Sequence, residues 1–288
     1  MDSGDSLFLS VRGLRYHVRT WGSSRARKLF LLHGWMDVSA SFQFVVDALK
    51  GEWQVCAPDW RGFGLTQWAG TDAYWYADYF ADLNFLLDAL QPEGPVDLVG
   101  HSMGGNIACI YAGVCPDRVG RLVNLEGLGL RDNNPDDSPG RIARWLKDLG
   151  EQKGFRPYAS FEELASRMRE SNPRLSPDRS AFLARHWGVE RENGQVELRS
   201  DPAHKRVNPV LYRSAEVAAC LRRIKAPVLW VEGEMTDAFT RSRLTREEAD
   251  ERRRQIPRSS YRVVAGAGHM MHHDQPESVA ALIEEFMA

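Results

Sequence analysis

Six residues, Gly100-His101-Ser102-Met103-Gly104-Gly105, stand between a fully apolar run, Val96 to Val99, and an amphipathic helical pattern from Met103 to Val114. A strand that passes into a helix over so short a stretch needs a tight turn. Its middle residue is forced into strained backbone geometry, and glycines two before and two after leave room for the crossing chain. The G-x-S-x-G spacing supplies both conditions and predicts Ser102 Oγ exposed above the end of a sheet. It would stand at a helix N-terminus, where unpaired N–H groups favour developing negative charge. Pro116 ends the helix.

Around this turn, short β-rich runs alternate with amphipathic helices, the pattern of a mostly parallel sheet covered by helices on both faces. Two alternating runs, Ser6 to Val11 and Leu14 to Thr20, join at Arg12-Gly13 and read as an antiparallel hairpin. Strand-like Lys28 to Leu32 precedes a helix from about Ser41, and Gln54 to Pro58 precedes a helix from about Trp75 to Leu90. After strand Leu122 to Leu125 the rhythm breaks. From about Gly129 to Arg223 helical patterns succeed one another (Gly140 to Leu149, Phe161 to Ser171, Pro177 to Trp187, Ser214 to Arg223), with one hairpin, Val189 to Arg199, turning at Asn193-Gly194. Alternation resumes with strand Val228 to Val231, a helix with Thr245 and Glu248 in a capping-box pattern, strand Tyr261 to Val264 and a closing helix from Pro276 to Met287. The expected division is a core of residues 1–128 and 224–288, interrupted by a mainly helical cap of residues 129–223 that emerges where open α/β sheets bind ligands.

Composition excludes several classes. The 37 basic and 39 acidic residues leave a net charge of −2, so nothing draws the molecule wholesale to nucleic acid or anionic lipid. Arg252-Arg253-Arg254 is the densest charge run, and Glu248 and Asp250, each four residues before an arginine of the run, make it a solvated helix face. The longest apolar runs fall far short of the ~20 residues that span a bilayer. Met1 to Ser10 has no basic or long apolar stretch and does not read as a signal peptide. Cys56, Cys109, Cys115 and Cys220 lack metal or scaffold spacing and read as reduced thiols, in keeping with a cytoplasmic location.

A serine hydroxyl is a weak nucleophile and requires a base within hydrogen-bond reach. His269 is the best placed, coming after strand Tyr261 to Val264 through Ala265-Gly266-Ala267-Gly268. His101 lies inside the turn, where its side chain packs or bonds beneath it. His269, His272, His273 and Asp274 resemble a metal cluster, but a ligand set needs convergence from more than one segment, so no metal is expected there. No dinucleotide glycines or phosphate loop are present, so no organic cofactor is implied.

Leu31-Leu32-His33-Gly34-Trp35, Asp59-Trp60-Arg61-Gly62-Phe63-Gly64, the Gly100 to Gly104 turn, and Gly266-Ala267-Gly268-His269 with Asp274-Gln275-Pro276 occur in an order that resembles the α/β-hydrolase superfamily over essentially the whole chain. Within it the chain is similar to cap-bearing serine hydrolase-like proteins. The resemblance implies the α/β-hydrolase fold, with eight mostly parallel strands, and an oxyanion hole from the backbone N–H groups of Met103 and Trp35. Gly34 and His33 would shape that loop, and Asp59 and Arg61 would fix the next turn. Family members place the triad's acid three residues beyond a glycine closing the seventh strand. Here Gly233-Glu234-Met235-Thr236-Asp237 places it four beyond, while Glu126, at the end of the sixth strand, occupies the position another branch uses. Asp237 is favoured, Glu126 is the alternative, and Glu234 is third.

The expected activity is a serine hydrolase, carboxylesterase-like, cleaving a small carboxylic ester or related acyl compound through an acyl-enzyme on Ser102. The alternatives are a cofactor-independent lyase, dioxygenase or perhydrolase on the same fold, or a non-catalytic ligand-binding module. Epoxide hydrolases and haloalkane dehalogenases carry Asp where Ser102 stands, so their alkyl-ester route is closed. The expected partner is a small-molecule acyl substrate, with no nucleic acid and no transmembrane segment, in a monomer or homodimer. The aromatics of the cap, Trp145, Phe155, Tyr158, Phe182, Trp187 and Tyr212, are expected to pack rather than touch substrate.

Overall fold

A computed structural model describes residues 4–151 and 154–288, so the first three residues of the Met1 to Ser10 segment lie outside the described residues. The elements run β1 (Asp5–Val11), β2 (Leu14–Trp21), β3 (Arg27–Leu32), α1 (Gln43–Ala48), β4 (Trp53–Pro58), α2 (Tyr76–Leu90), β5 (Val96–His101), α3 (Met103–Val114) and β6 (Val119–Leu125). Next come α4 (Ser138–Gly150), α5 (Phe161–Ser171), α6 (Pro177–Trp187), β7 (Gly188–Glu190), β8 (Val196–Leu198) and α7 (Ser214–Leu221). The chain ends with β9 (Val228–Gly233), α8 (Ala238–Ser242), α9 (Arg246–Arg254), β10 (Ser259–Val264), α10 (Met271–Asp274) and α11 (Pro276–Met287).

Eight strands form one sheet in the order β1-β2-β4-β3-β5-β6-β9-β10. The β1–β2 and β2–β4 pairs are antiparallel and the remaining pairs parallel. The continuous apolar runs result from burial on both faces. Along β3, Phe30 and Leu32 enter one core with α2, α3 and α9, while Leu29 and Leu31 enter the other with α1 and α11. In β9, Val228 and Trp230 face the first core and Leu229 and Val231 the second. A strand covered on one side only would alternate apolar with polar residues.

The insertion after β6 carries its own small core, in which Leu164, Met168, Leu183 and Val196 pack with Phe44 of α1. Its hairpin, β7 with β8, turns at Gly194 in the left-handed region. Not all of the interval up to Arg223 lies over the sheet end. Helix α7 runs against α3, where a Cβ on Gly113 would stand 2.0 Å from the Cys220 carbonyl oxygen, and Leu221 and Ile224 join the first core.

The arginine run of α9 behaves differently from the i, i+4 pairing read from the sequence. Arg253 pairs with Asp250 and Arg254 with Glu251, at i, i+3 spacing. Arg252 instead donates to the carbonyls of Leu128 (2.5 Å) and Leu130 (2.6 Å), tying α9 to the start of the insertion. The capping box of Thr245 and Glu248 is formed. Among the described residues, no helix is long and apolar enough to cross a membrane, and all four cysteines are free thiols.

Candidate active site

The β5–α3 turn has the strained geometry its spacing predicts. Ser102 sits at φ 50° and ψ −114°, between the last residue of β5 and the first of α3. A Cβ on Gly104 would lie 2.1 Å from the carbonyl oxygen of Leu32, so only glycine lets α3 start this close to β3. Strain at Ser102 is held by backbone bonds on both sides, Ser102 N to Leu125 O (2.8 Å) and Asn106 N to Ser102 O (3.0 Å). Over-determination of this kind is what lets an unfavourable backbone conformation persist.

His269 lies beyond β10 and reaches the turn from the far side of the sheet end. Its Nε2 lies 3.1 Å from Ser102 Oγ, and its Nδ1 lies 2.7 Å from Glu126 Oε2. Glu126 comes just after the end of β6 with φ at 52°, and its side chain is fully buried. Both of its oxygens are occupied: Oε1 accepts from Gly233 N (2.7 Å), and Oε2 also accepts from Thr236 Oγ1 (2.8 Å). A carboxylate so held orients the imidazole with Nδ1–H toward it, leaving the Nε2 lone pair for the serine proton.

Asp237 stands elsewhere. Its side chain, 53% exposed, pairs with Arg241 Nε at 2.6 Å on the next turn of α8. The loop that carries it does not bring it to His269. Thr236, one residue earlier, instead turns inward and buttresses Glu126. Glu234 is also exposed and accepts from Gly266 N (2.9 Å). Thr236 was missed in the sequence, and only its place beside the two candidate acids marked it.

The other motif residues hold loops. His33, fully buried, bonds Gly34 O through Nδ1 (2.7 Å) and accepts from Trp60 N at Nε2 (2.9 Å). Asp59 accepts from Ser39 N (2.6 Å) and Leu65 N (2.9 Å), and Arg61 pairs with buried Asp82. Burial pushes the Asp59 carboxyl up, but the imidazoles of His17, 2.7 Å away, and His33, with the Leu65 amide, together hold it well below the usual range. His101 is buried and bonds the His269 carbonyl through Nε2 (2.8 Å). Burial, with the imidazoles beside it, pushes His101 well below the ordinary histidine range, so it stays neutral.

Above Ser102 opens a cavity of about 920 Å³, shared between the sheet end and the insertion. Gly34, Trp35 and Met103 line it beside Ser102 and His269. Met103 opens α3, so its amide is among the first-turn donors that have no acceptor within the helix. Two of the insertion's aromatics, Tyr158 and Trp187, pack against the insertion's small core and also line the cavity. Phe182 stacks edge-on to Phe44 and Phe155 lies under Lys205, as packing residues do.

The model of the alpha/beta hydrolase fold family matches residues 28–276. A serine hydrolase-like protein of Danio rerio is 26% identical over 93% of this chain and 84% of its own length. A cis-3-alkyl-4-alkyloxetan-2-one decarboxylase of Shewanella oneidensis is 27% identical over 97% of this chain and 87% of its own. Among solved structures, a thioesterase domain from the curacin biosynthetic pathway superposes with a TM-score of 0.87, at 22% identity, over 98% of this chain and 99% of that one.

Proposed function

The chain belongs to the α/β-hydrolase family, and we propose that within it the protein is a serine hydrolase of small carboxylic esters or related acyl compounds. The observation that carries this reading is the unbroken chain from Ser102 Oγ through His269 to Glu126, at 3.1 and 2.7 Å, opening on a shared cavity. In the first step Ser102 Oγ attacks the acyl carbon while His269 Nε2 takes its proton. The carbonyl electrons move to oxygen, and the oxyanion is held by the amides of Met103 and Trp35. One such donor is worth about 3 kcal/mol in the transition state.

The imidazolium is stabilised by the buried carboxylate of Glu126 and returns its proton to the leaving alcohol or thiol as the carbon–oxygen or carbon–sulfur bond breaks. Water, deprotonated by His269, then releases the acid and restores Ser102. The insertion from Gly129 to about Arg213 acts as a cap that shields the acyl-enzyme, and Tyr158 and Trp187 belong to its acyl-facing wall. The test is labelling by a fluorophosphonate probe together with turnover of a panel of p-nitrophenyl esters. Both should be lost in Ser102→Ala. Labelling or ester turnover that survives in this variant defeats the proposal.

A further inference from the structure

Behind the β5–α3 turn, three segments distant in sequence bring polar groups together in the interior: Asp37 from the loop after β3, His101 at the end of β5, and His272 in α10. Their exposures are 2%, 1% and 0%. One donor atom from each lies within 4.8 Å of the other two. Asp37 Oδ1 is well supplied, accepting from Val38 N (2.8 Å), Trp187 Nε1 (3.1 Å) and Ser41 Oγ. Asp37 Oδ2, His101 Nδ1 and both ring nitrogens of His272 have no hydrogen-bond partner among the described residues. Buried polar atoms are nearly always satisfied, so a group of them facing one another points to a ligand that satisfies them.

Two details identify its chemistry. His101 Nε2 donates to the His269 carbonyl, so its proton is on Nε2 and the Nδ1 lone pair is free. Metal-bound imidazoles are usually held in this way, the second nitrogen donating to a carbonyl or carboxylate. Asp37 Oδ2 and His272 Nε2 are 3.4 Å apart, within ion-pair reach but longer than a usual N–H···O hydrogen bond. Neighbouring ligands on a tetrahedral cation with bonds of about 2.0–2.2 Å stand about 3.3–3.6 Å apart, which matches that separation.

We propose that Asp37, His101 and His272 form a site for a divalent first-row transition metal, zinc foremost, separate from the Ser102 machinery. Two imidazoles and one carboxylate suit zinc, with a fourth position left open. Asp37 and His101 also line the large cavity, which provides a route to the site. The histidine run in the sequence is a different set. His269 is engaged by Ser102 and Glu126, while Asp274 accepts from Gly268 N, Asn172 and Arg174. Convergence from separate segments, absent from that run, is what the fold supplies around His272. Through the bond from His101 to the His269 carbonyl, an ion here would be coupled to the loop that carries the base. Binding itself does not depend on the proposed hydrolytic function.

The full chain, stripped of metal, is titrated with zinc chloride by calorimetry, and soaked crystals are measured on both sides of the zinc absorption edge. The expected result is one zinc per chain, with an anomalous peak among the three side chains. His272→Gln and Asp37→Asn should each weaken binding by at least about 100-fold, while His269→Ala and Ser102→Ala should not. Because Asp37 also supports Trp187 and Ser41, His272→Gln and the anomalous map decide the matter if Asp37→Asn fails to fold. No zinc bound by the unmodified chain, a peak on His269, or unchanged affinity in His272→Gln overturns the proposal.

Discussion

Replacing Glu126 with Gln keeps the side chain's shape, removes its charge and reverses its hydrogen bond to the imidazole. The carboxylate faces three donors, Gly233 N, Thr236 Oγ1 and His269 Nδ1, at 2.7, 2.8 and 2.7 Å. A Gln that keeps its oxygen on Gly233 N turns its NH₂ toward His269. That selects the imidazole tautomer with the proton on Nε2, which cannot accept from Ser102. The electrostatic loss adds to this. Opposite charges about 4 Å apart at an effective dielectric of 20 attract by about 4 kcal/mol, or close to 10³-fold in rate. With the tautomer effect, the expected fall in kcat is about 10³–10⁴-fold, the range seen when a triad loses its acid. Asp237→Asn is the control. Its partner Arg241 is exposed, so its kcat should stay within about threefold, since such pairs contribute ~0.5 kcal/mol. Steady-state ester hydrolysis, with circular dichroism to confirm folding, measures both. If Glu126→Gln retains a tenth of the activity, or Asp237→Asn loses as much as Glu126→Gln, the assignment of the acid from geometry is refuted.

Two further perturbations test how the site is supported. Asp82 has a fully buried side chain that receives Arg61, Arg12 and Tyr16 OH, so Asp82→Ala leaves the buried Arg61 guanidinium with Asp78 as its one remaining carboxylate partner (3.0 Å) and should cost about 3 kcal/mol in urea unfolding. A loss under ~1 kcal/mol would mean that Asp78 alone satisfies Arg61. His204 is stacked between Phe63 and Tyr74 at 3.9 Å from each, and burial lowers it to about 3. Between pH 6.5 and about 3 the unfolded chain therefore binds a proton that the folded chain refuses, so stability falls as pH falls, with a limiting slope of about 1.4 kcal/mol per pH unit. His204→Phe keeps the stack and should lower the slope of that acid limb by up to about 1.4 kcal/mol per pH unit in melts taken from about pH 7 to about pH 4, the other histidines lowered by burial keeping their share. An equal slope in both proteins would show that His204 is not the group responsible.

Order and type of the longer elements were legible in the chain because they depend on local periodicity, whereas the short helices α8 and α10 span too few turns to show one. The pattern around Ser102 required a strand, a turn and a helix, and Met103–Val114 is the helix found. His269 was legible for a related reason: only a short loop joins it to β10, so its position is tied to the end of that strand. The pairing of Arg252 was not legible. Helical spacing offered it Glu248, yet packing of α9 against the start of the insertion offered two backbone carbonyls.

The acid is the sharper case. The sequence favoured Asp237 over Glu126, because the resembled family usually places its acid beyond the seventh strand and only one branch places it after the sixth. Which one meets His269 depends on the lateral order β5-β6-β9 and on the left-handed backbone at residue 126, which turns Glu126 inward across a separation of 143 residues. The meeting of Asp37, His101 and His272 has the same origin. Periodicity is a property of neighbours along the chain and determined the fold and the strand–turn–helix that carries Ser102. A hydrogen bond is set within a few tenths of an ångström by packing between segments, so the partner of His269 was decided only in the tertiary structure.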